Sequence, residues 1–396
     1  MKTYLTNADV ILPDRIIHGY VSIENDRITG IGTNEPVTAE ADEVIDLGGL
    51  YLAPGFIELH THGAGGCDFM DGTADAFITA AMTHLSHGTT TLLPTALAAT
   101  REEILRSIAN LRQAKNTMVD GPNLLGLHIE GPYLNVKQKG AINEKYIRNP
   151  DPEEYNDFLI NGKGAISRWT VAVELDGALD FGDRLKAEGI LPSIGHTDAE
   201  YSQIVEAYLH GYTHVTHLYS AMSCMVRRGG FRFPGLTESA FCLEDMTVEI
   251  IADGCHLPIE ILRMVYRLKG AQKICLSCDS MRCAGQEVKE SILGNLTSGL
   301  RVIIEDDVAK LPDRSAFAGS IALDDRLVRV MYQKVGVPLY DAVRMMTLTP
   351  AEVIGISGKT GSIASGKAAD LICFDDDIII KGTMVGGHAR SGVMKS

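Results

Sequence analysis

The sequence predicts an α/β protein: a (β/α)8 barrel of the TIM type, with a small β-sandwich formed by both termini. Three observations support this fold class. Apolar strand-like segments alternate with amphipathic helical segments through the middle of the chain, short β-rich segments lie at both ends, and metal-type ligands follow several predicted strands. Such alternation is typical of parallel sheets, and these barrels build their sites at the C-terminal ends of their strands.

Eight short apolar runs of the middle region, each ended by glycine or a polar turn, are predicted barrel strands. The segments 74–88, 101–115 and 258–270 are examples of the intervening helices, because their apolar residues recur at helical period. Gly88 and Gly270 stand where a left-handed residue commonly ends a helix. In chain order the predicted strands are GFIELHTH, TTTLLPT, LLGLHIE, WTVAVEL, ILPSIGHT, HVTHLY, VEIIADG and KICLSCD.

The two ends of the chain resemble each other in their short, turn-separated strands. Residues 1–52 contain TYLTNADVIL, GYVSIEN, RITGIG and EVIDLGG, and residues 349–396 contain GSIA, ADLICFD and IIIKGTMVGG. The economical interpretation is one β-sandwich assembled from both termini. The catalytic barrel, residues 53–348, is then inserted between its two parts.

Length and charge restrict the class of protein. A chain of 396 residues can hold a barrel of roughly 250–300 residues and a small companion domain. The formal net charge of −15 offers no basic footprint for a nucleic acid, so we predict no such partner. The N-terminal segment lacks the apolar core of a signal peptide, and no apolar stretch approaches the ~18 residues that span a bilayer. We expect a cytoplasmic protein that does not contact membranes.

The eight cysteines do not suggest a disulfide framework, because a long cytosolic chain keeps its thiols reduced. Cys275 and Cys278 form a CxxC, but they fall within one predicted strand, where a spacing of three residues places side chains on opposite faces. No second pair lies nearby. We therefore interpret both as small buried hydrophobic residues rather than as a metal or redox pair.

Five potential metal ligands lie at or just past the ends of predicted strands: His60, His62, Glu130, His196 and His217. His60 and His62 are two residues apart, so both side chains face the same side of a strand, which in a barrel is the interior. A buried carboxylate such as Glu130 is costly unless it is paired or bound to metal. Imidazoles with one or two carboxylates suit zinc and similar divalent metals.

Two other histidines lie close to these ligands. His128 shares a strand face with Glu130, and we interpret it as a structural residue of the inner layer. His214 and His217 face opposite ways on the sixth strand, so only one of them is expected to look inward. We choose His217 because it lies nearer the end of the strand.

Asp279 and His256 are the candidates for proton transfer and substrate contact. Asp279 ends the eighth strand, and a carboxylate opposite an activated water is a natural proton shuttle. Its alternative role is a helix cap or ion-pair partner. His256 follows the seventh strand by a few residues, so we interpret it as a contact to substrate rather than as a metal ligand.

The segment after His217 contains three arginines, Arg227, Arg228 and Arg232, within six residues. On an acidic protein this is a candidate anion site, because arginine binds phosphate in a bidentate manner. Phe231 and Phe233 flank Arg232, and an aromatic ring can stack on a guanidinium group. A solvated loop is the alternative interpretation.

Several ordered motifs resemble a known family. The HxH of the first strand, the Asp of the eighth strand and the split β-sandwich resemble the amidohydrolase superfamily. LHIEGPYLN, SIGHT, THLYSAM, IADGCH, AFAGS and the C-terminal TPAEVIG and GSIASGKAADLICFD resemble, more narrowly, the N-acetylglucosamine-6-phosphate deacetylases. The resemblance covers nearly the whole chain, and it implies that Glu130, His196 and His217 bind the metal common to all members.

In this family the HxH pair supports a second metal in some members, so His60 and His62 permit a binuclear site here. The resemblance implies one or two divalent ions per chain, with zinc the first expectation and iron, manganese or cobalt as alternatives. It also implies a homodimer, because family members commonly form one.

Three departures from the family pattern fall around the expected substrate. Ser220 replaces an Asn in THLYSAM, Ile142 replaces a His after KGA, and FRFPG retains Arg232 as the residue expected to bind phosphate. These departures leave the metal ligands unchanged but bear on the identity of the sugar. The predicted substrate-binding residues are Ala141, Ile142, Ser220, Ala221, Arg232, His256, Phe317, Ala318 and Gly319.

The sequence therefore predicts a metal-dependent hydrolase that removes the acetyl group from an amino-sugar phosphate, first of all N-acetylglucosamine 6-phosphate. One alternative is an amidohydrolase that acts on a related N-acetyl-hexosamine, another epimer or an unphosphorylated sugar, which the residues Ser220 and Ile142 favour. A second alternative is a catalytically inactive scaffold. Such a protein is expected to have lost ligands, whereas this chain retains all five ligands and Asp279.

Overall fold

The structure, a computed structural model, describes residues 1–34, 36–39 and 41–395. Its centre is a barrel of eight parallel strands, which confirms the predicted fold class. Each strand pairs with its neighbours in chain order. The barrel strands are Phe56–Thr61, Thr89–Leu97, Leu127–Glu130, Ile166–Val171, Leu191–Ile194, His214–Val215, Thr247–Ile251 and Ile274–Ser277.

The barrel closes where the eighth strand meets the first. The backbone N–H of Asp279 donates to the carbonyl of His60 at 3.0 Å, and the N–H of His62 donates to the carbonyl of Ser280 at 2.8 Å. These bonds lie at the C-terminal end of both strands. They hold the proton-shuttle candidate directly beside the HxH pair.

Helices follow the barrel strands and cover the outside of the barrel, as the amphipathic pattern predicts. Thr100 begins the second helix with a capping box to Glu103, in which each side chain accepts from the other residue's backbone N–H. Asp151 caps the third helix directly before Pro152. The main helices are Ala74–Ser86, Arg101–Thr117, Pro152–Asn161, Ala178–Ala187, Tyr201–Leu209, Leu236–Cys242, Ile259–Lys269, Asp324–Arg329, Leu339–Met345 and Leu348–Val353.

Several strands differ in length from the prediction. The sixth is reduced to His214–Val215, so His217 lies two residues beyond it, and the fourth begins at Ile166, earlier than the apolar run suggested. Thr216, directly after the sixth strand, is a buried polar residue whose hydroxyl accepts from Arg168 Nη2 at 2.8 Å. Because polar side chains also face the barrel interior, a search for apolar runs alone misplaces the ends of the strands.

Both termini contribute to one hydrogen-bonded sheet with its own apolar core, which is the predicted β-sandwich. The long first strand pairs antiparallel with the second along one edge and parallel with two short strands along the other. Strand Tyr51–Pro54 pairs with Leu371–Phe374 and so joins the N-terminal and C-terminal parts. The strands are Lys2–Ile11, Ile16–Glu24, Arg27–Gly32, Glu43–Asp46, Tyr51–Pro54, Leu371–Phe374, Ile380–Val385 and His388–Gly392.

An antiparallel sheet that the sequence analysis did not predict lies between the eighth barrel strand and its helix. Its strands are Glu290–Leu293, Leu300–Glu305 and Val308–Lys310. The sheet brings Leu293 to the mouth of the barrel. Among the described residues, no helix combines the length and apolar character needed to cross a membrane.

Candidate metal centre

All five predicted ligands converge at the C-terminal ends of the barrel strands. His60 belongs to the first strand, His62 follows it directly, and Glu130 ends the third strand. His196 and His217 each lie two residues past the end of their strand. All five residues are buried, with at most 5% of their surface exposed. Residues distant in sequence therefore meet in one buried cluster.

The Glu130 carboxylate lies between two pairs of imidazoles. Its Oε1 is 3.1 Å from His196 Nε2 and 3.0 Å from His217 Nε2. Its Oε2 is 3.2 Å from His62 Nε2 and 3.5 Å from His60 Nε2. The two oxygens thus face two different histidine pairs, an arrangement that suits one or two divalent ions sharing a carboxylate.

Partners on the far side of two rings orient the ligand nitrogens. His196 Nδ1 lies 2.8 Å from the carbonyl oxygen of Gln138, which can only accept, so Nδ1 carries a proton and Nε2 presents its lone pair to the cluster. His60 Nδ1 lies 2.8 Å from Glu249 Oε1 in the same way. Carboxylate and carbonyl partners of this kind commonly fix the tautomer of metal-binding histidines.

Burial and charge act against each other at Glu130 and His62. Burial by itself raises the pKa of Glu130, but the adjacent histidines outweigh it and hold that pKa well below its usual range. Burial lowers the pKa of His62, yet its hydrogen bonds to Asp279 and Glu130 raise that pKa to about 9. The carboxylates of the cluster therefore favour a proton or a cation at the adjacent imidazoles.

The donor set fits a divalent metal. The candidate ligands form two groups of three, and within each group the ligand atoms all lie within 4.8 Å of one another. One group is His60, His62 and Glu130, and the other is Glu130, His196 and His217. The buried Nδ1 atoms of His62 and His217 have no hydrogen-bond partner among the described residues, so the polar contacts of those rings are made through their Nε2 atoms. Imidazole and carboxylate ligands without thiolate match zinc and similar ions.

Three of the site residues adopt a left-handed backbone that side chains with a Cβ rarely take. The φ angles are +49° at His196, +31° at His217 and +44° at Asp279. Such conformations cost of order 1–3 kcal/mol each and persist only where the surroundings impose them. They turn these side chains inward directly after their strands end, so the barrel stabilises a conformation that serves the site.

Asp279 lies where a proton shuttle is expected. Its Oδ1 is 3.2 Å from His62 Nε2 and 3.5 Å from His60 Nε2, and the side chain lines the cavity. Burial raises the pKa of Asp279, but the charges of His60 and His62 outweigh burial and lower it. The carboxylate is therefore ionised at neutral pH, the form that can accept a proton.

A cavity of about 380 Å³ opens above the cluster. It has room for a sugar, and its wall contains most of the predicted substrate contacts. Ala318 is fully buried beneath this wall, in the apolar cluster of the added sheet, and Arg232 lies on the exposed hairpin instead. The predicted contacts in the wall are Ala141, Ile142, Ser220, Ala221, His256, Phe317 and Gly319.

His256 is held in place at the cavity wall. Its Nδ1 lies 2.8 Å from Asp253 Oδ2, and its ring lies 4.9 Å from the ring of Phe317, centroid to centroid. Ser320 donates to the same Asp253 oxygen at 2.8 Å. Since Asp253 fixes one nitrogen, the other is free to contact a ligand.

The arginine segment forms a hairpin, Val226–Arg228 with Phe231–Phe233, outside the cavity wall. In this hairpin the stacked arginine is Arg228 and not Arg232. The guanidinium of Arg228 lies 4.1 Å from the centroid of the Phe233 ring, and it pairs with Glu200. Arg232 faces Arg227 across the hairpin because of its register. Among the described residues that line the cavity, Lys137 is the one lysine, and there is no arginine.

The polar interior of the barrel includes residues that the sequence analysis missed. Glu249 accepts from His60 and from the backbone N–H of His217, and it forms an ion pair with Arg168. His214 Nε2 lies 4.0 Å from the same carboxylate, so the expectation that only one histidine of the sixth strand looks inward is wrong. The fourth and seventh strands each contain one charged residue, Arg168 and Glu249, among apolar neighbours. That pattern was the available signal for these interior residues.

The structure also describes His128 and the two cysteines of the CxxC. His128 binds threonine hydroxyls on both ring nitrogens, Thr95 at 3.2 Å and Thr170 at 2.7 Å, as expected of an inner-layer structural residue. Cys275 and Cys278 are fully buried in two different apolar clusters, and all eight cysteines are free thiols.

The chain is similar to known proteins over nearly its whole length. Residues 51–390 match the Amidohydrolase family. An N-acetylglucosamine-6-phosphate deacetylase of Haemophilus influenzae is 32% identical over 98% of this chain and 99% of its own, and one of Bacillus subtilis is 31% identical over 94% and 93%.

Solved structures show the same similarity. The N-acetylglucosamine-6-phosphate deacetylase of Pasteurella multocida matches with a TM-score of 0.90 and 30% identity, covering 98% of this chain and 99% of its own. A mutant of the Mycobacterium smegmatis enzyme in complex with N-acetyl-D-glucosamine-6-phosphate matches with a TM-score of 0.89 and 31% identity, at the same coverage. The chain therefore belongs to the amidohydrolase family and, within it, to the N-acetylglucosamine-6-phosphate deacetylases.

Proposed function

We propose that this enzyme hydrolyses the N-acetyl group of an amino-sugar phosphate, converting N-acetyl-D-glucosamine 6-phosphate and water into D-glucosamine 6-phosphate and acetate. The observation that carries the proposal is the Glu130 carboxylate between two histidine pairs, with Asp279 beside it at the base of a cavity of sugar size. The relatives named above support the same reaction.

We infer that the metal ligands are Glu130, His196 and His217 for a first ion, with His60 and His62 for a second. Zinc is the ion that this donor set favours, and iron, manganese or cobalt are the alternatives to test. The Oε2 atom of Glu130 supports the second ion because it faces the HxH pair at hydrogen-bond distance or slightly beyond.

The chain's own groups perform the proton transfers. A metal at this site supplies Lewis-acid activation of water and of the amide carbonyl. Asp279 accepts the proton of the attacking water and returns it to the departing sugar nitrogen, so that acetate and a free amine result. His256, fixed by Asp253, donates to or accepts from the sugar at the cavity wall.

Substrate recognition divides between apolar and polar parts of the cavity. Leu97, Ile142 and Leu293 form an apolar wall, and Ser220 with Ala221 lies at the rim near His217. We propose that Arg232, on the hairpin outside the cavity wall, contacts the phosphate. Lys137 is the second candidate because it lines the cavity itself.

We further propose that residues 53–348 form the catalytic domain and that residues 1–52 with 349–396 form the sandwich. A homodimer is proposed as the assembly. Size-exclusion chromatography with light scattering tests the dimer, and it does so independently of activity.

An acetate-release screen tests the function. Purified enzyme with defined metal content is offered N-acetyl-glucosamine, -galactosamine and -mannosamine, each with and without a 6-phosphate. The proposal expects the highest kcat/KM for N-acetylglucosamine 6-phosphate. Preference for another epimer or for a free sugar would establish the related-hexosamine alternative, which Ile142 in the cavity wall favours. No acetate from any of them, at full metal content, would refute both.

A further inference from the structure

We propose that Glu174 is a positioning residue: its carboxylate holds the substrate-binding loop 135–142 against the metal ligand His196. This inference rests on the proposed function of the site. Glu174 itself lies outside the cavity wall and is no metal ligand. It follows the fourth barrel strand, which ends at Val171.

Three donors from two other segments converge on this one carboxylate. Oε1 accepts from Asn135 Nδ2 at 2.7 Å and from the backbone N–H of Asp198 at 2.6 Å. Oε2 accepts from the hydroxyl of Thr197. Glu174 therefore joins the start of the loop to the two residues directly after His196.

The loop and the metal ligand also bond to each other. The N–H of Asn135 donates to the carbonyl of His196 at 2.9 Å, and His196 Nδ1 lies 2.8 Å from the carbonyl oxygen of Gln138. Gln138 Nε2 donates to Asp198 Oδ1 at 3.1 Å. A shift of the loop therefore disturbs the ring that carries a ligand nitrogen, and the left-handed backbone of His196 needs such external support.

The same loop forms one side of the cavity. Lys137, Gln138, Gly140, Ala141 and Ile142 all line it. A methyl group on Gly140 would lie 3.7 Å from His196 Cε1, so the loop passes close to the ligand ring there.

Glu174 reaches a second wall of the cavity through Thr197. Thr197 pairs with Met222 in an isolated β-bridge, and its carbonyl accepts from the N–H of Ser223 at 2.9 Å. That segment follows Ser220 and Ala221, which also line the cavity. One carboxylate thus connects two segments of the cavity wall and one candidate ligand, although it does not line the cavity itself.

The test compares Glu174→Ala with a matched surface change, Glu188→Ala. Glu188 lies after the next helix, and its carboxylate pairs with Arg184 at 2.9 Å. Because a displacement of about 1 Å in a positioned site can cost ~100-fold, we expect Glu174→Ala to lower kcat/KM roughly 10- to 100-fold, mainly through KM. At saturating metal, the metal content should stay at the wild-type level, since every ligand remains. Glu174→Gln, which retains an acceptor, should recover part of the loss.

A double-mutant cycle separates positioning from a general loss of stability. If Glu174 acts through Asn135, the variant Glu174→Ala/Asn135→Ala should lose hardly more kcat/KM than Glu174→Ala alone. Fully multiplicative losses, or a kcat/KM for Glu174→Ala within twofold of Glu188→Ala, would overturn the proposal.

An activity-independent measurement distinguishes this proposal from the proposed function. Amide hydrogen exchange of residues 135–142 should accelerate in Glu174→Ala and not in Glu188→Ala, whether or not any sugar is turned over. Unchanged exchange in that loop refutes the positioning role. Absent turnover in the wild-type enzyme refutes the function alone.

Discussion

The buried ion pair between Glu249 and Arg168 offers the most quantitative prediction about this barrel. Both residues are fully buried, and burial raises the pKa of Glu249 while Arg168 and His60 outweigh it and hold that pKa well below the usual range. Glu249 is therefore ionised. Replacing it by leucine leaves the Arg168 guanidinium buried without a counter-ion.

The magnitude follows from what Arg168 retains. Nε still donates to Ser193 Oγ at 3.0 Å, Nη1 to the carbonyl of Leu59 at 3.2 Å and Nη2 to Thr216 Oγ1 at 2.8 Å. These acceptors are neutral, so the charge stays uncompensated, and breaking such a pair costs about 3–5 kcal/mol. Arg168→Met with Glu249→Leu removes both charges, and it should be more stable than Glu249→Leu alone.

Urea unfolding followed by tryptophan fluorescence measures this free energy. Trp169 is the single tryptophan of the chain and lies fully buried beside Arg168 in the fourth strand. Glu290→Leu is the matched control, because the exposed pair of Glu290 with Arg301, at 2.6 Å, should contribute at most about 1 kcal/mol. A cost for Glu249→Leu no larger than for Glu290→Leu, or a double variant less stable than the single one, would refute the reasoning.

Four other predictions concern the metal centre and the substrate. Asp279→Asn should retain metal but lower turnover by several orders of magnitude, and near-normal acetate release would remove Asp279 from the mechanism. His60→Ala with His62→Ala should remove at most one of two ions, whereas Glu130→Ala should remove both, as metal analysis per chain can show. Hydrogen bonds raise the pKa of His62 to about 9, so a metal ion that binds there must displace a proton. Metal affinity at the HxH pair should therefore rise with pH below 9, and calorimetry that finds pH-independent binding would contradict this. Arg232→Ala should lower kcat/KM for the 6-phosphorylated sugar roughly 10- to 150-fold and leave the free sugar unaffected, and equal effects on both sugars argue against phosphate binding by Arg232.

The clustering of the five candidate ligands was predictable because its signal is local. A histidine or carboxylate at the end of a short apolar run marks a strand end, and in a parallel barrel all strand ends of one polarity meet at one face. His60 and His62 needed only the two-residue period of a strand, and Glu130 needed only the cost of a buried carboxylate. The order of strands followed from their alternation with helices.

Residues whose role depends on a distant partner were not predictable in this way. Glu249 meets Arg168, 81 positions away, and nothing in the local pattern of either strand specifies the other. Glu174 meets Asn135 across 39 positions. The sequence likewise indicated a cluster of arginines, but only the register of their hairpin placed Arg228 on Phe233 and Arg232 opposite Arg227.

The sequence by itself determined the class of fold and which side chains meet at the C-terminal ends of the barrel strands, since burial period and residue chemistry are properties of short segments. The tertiary structure alone decided which oxygen of Glu130 faces which histidine pair and how Glu249 orients His60. It also decided that His196, His217 and Asp279 turn inward through left-handed backbone. These features depend on distances between segments far apart in the chain, and such distances exist only once the barrel has closed.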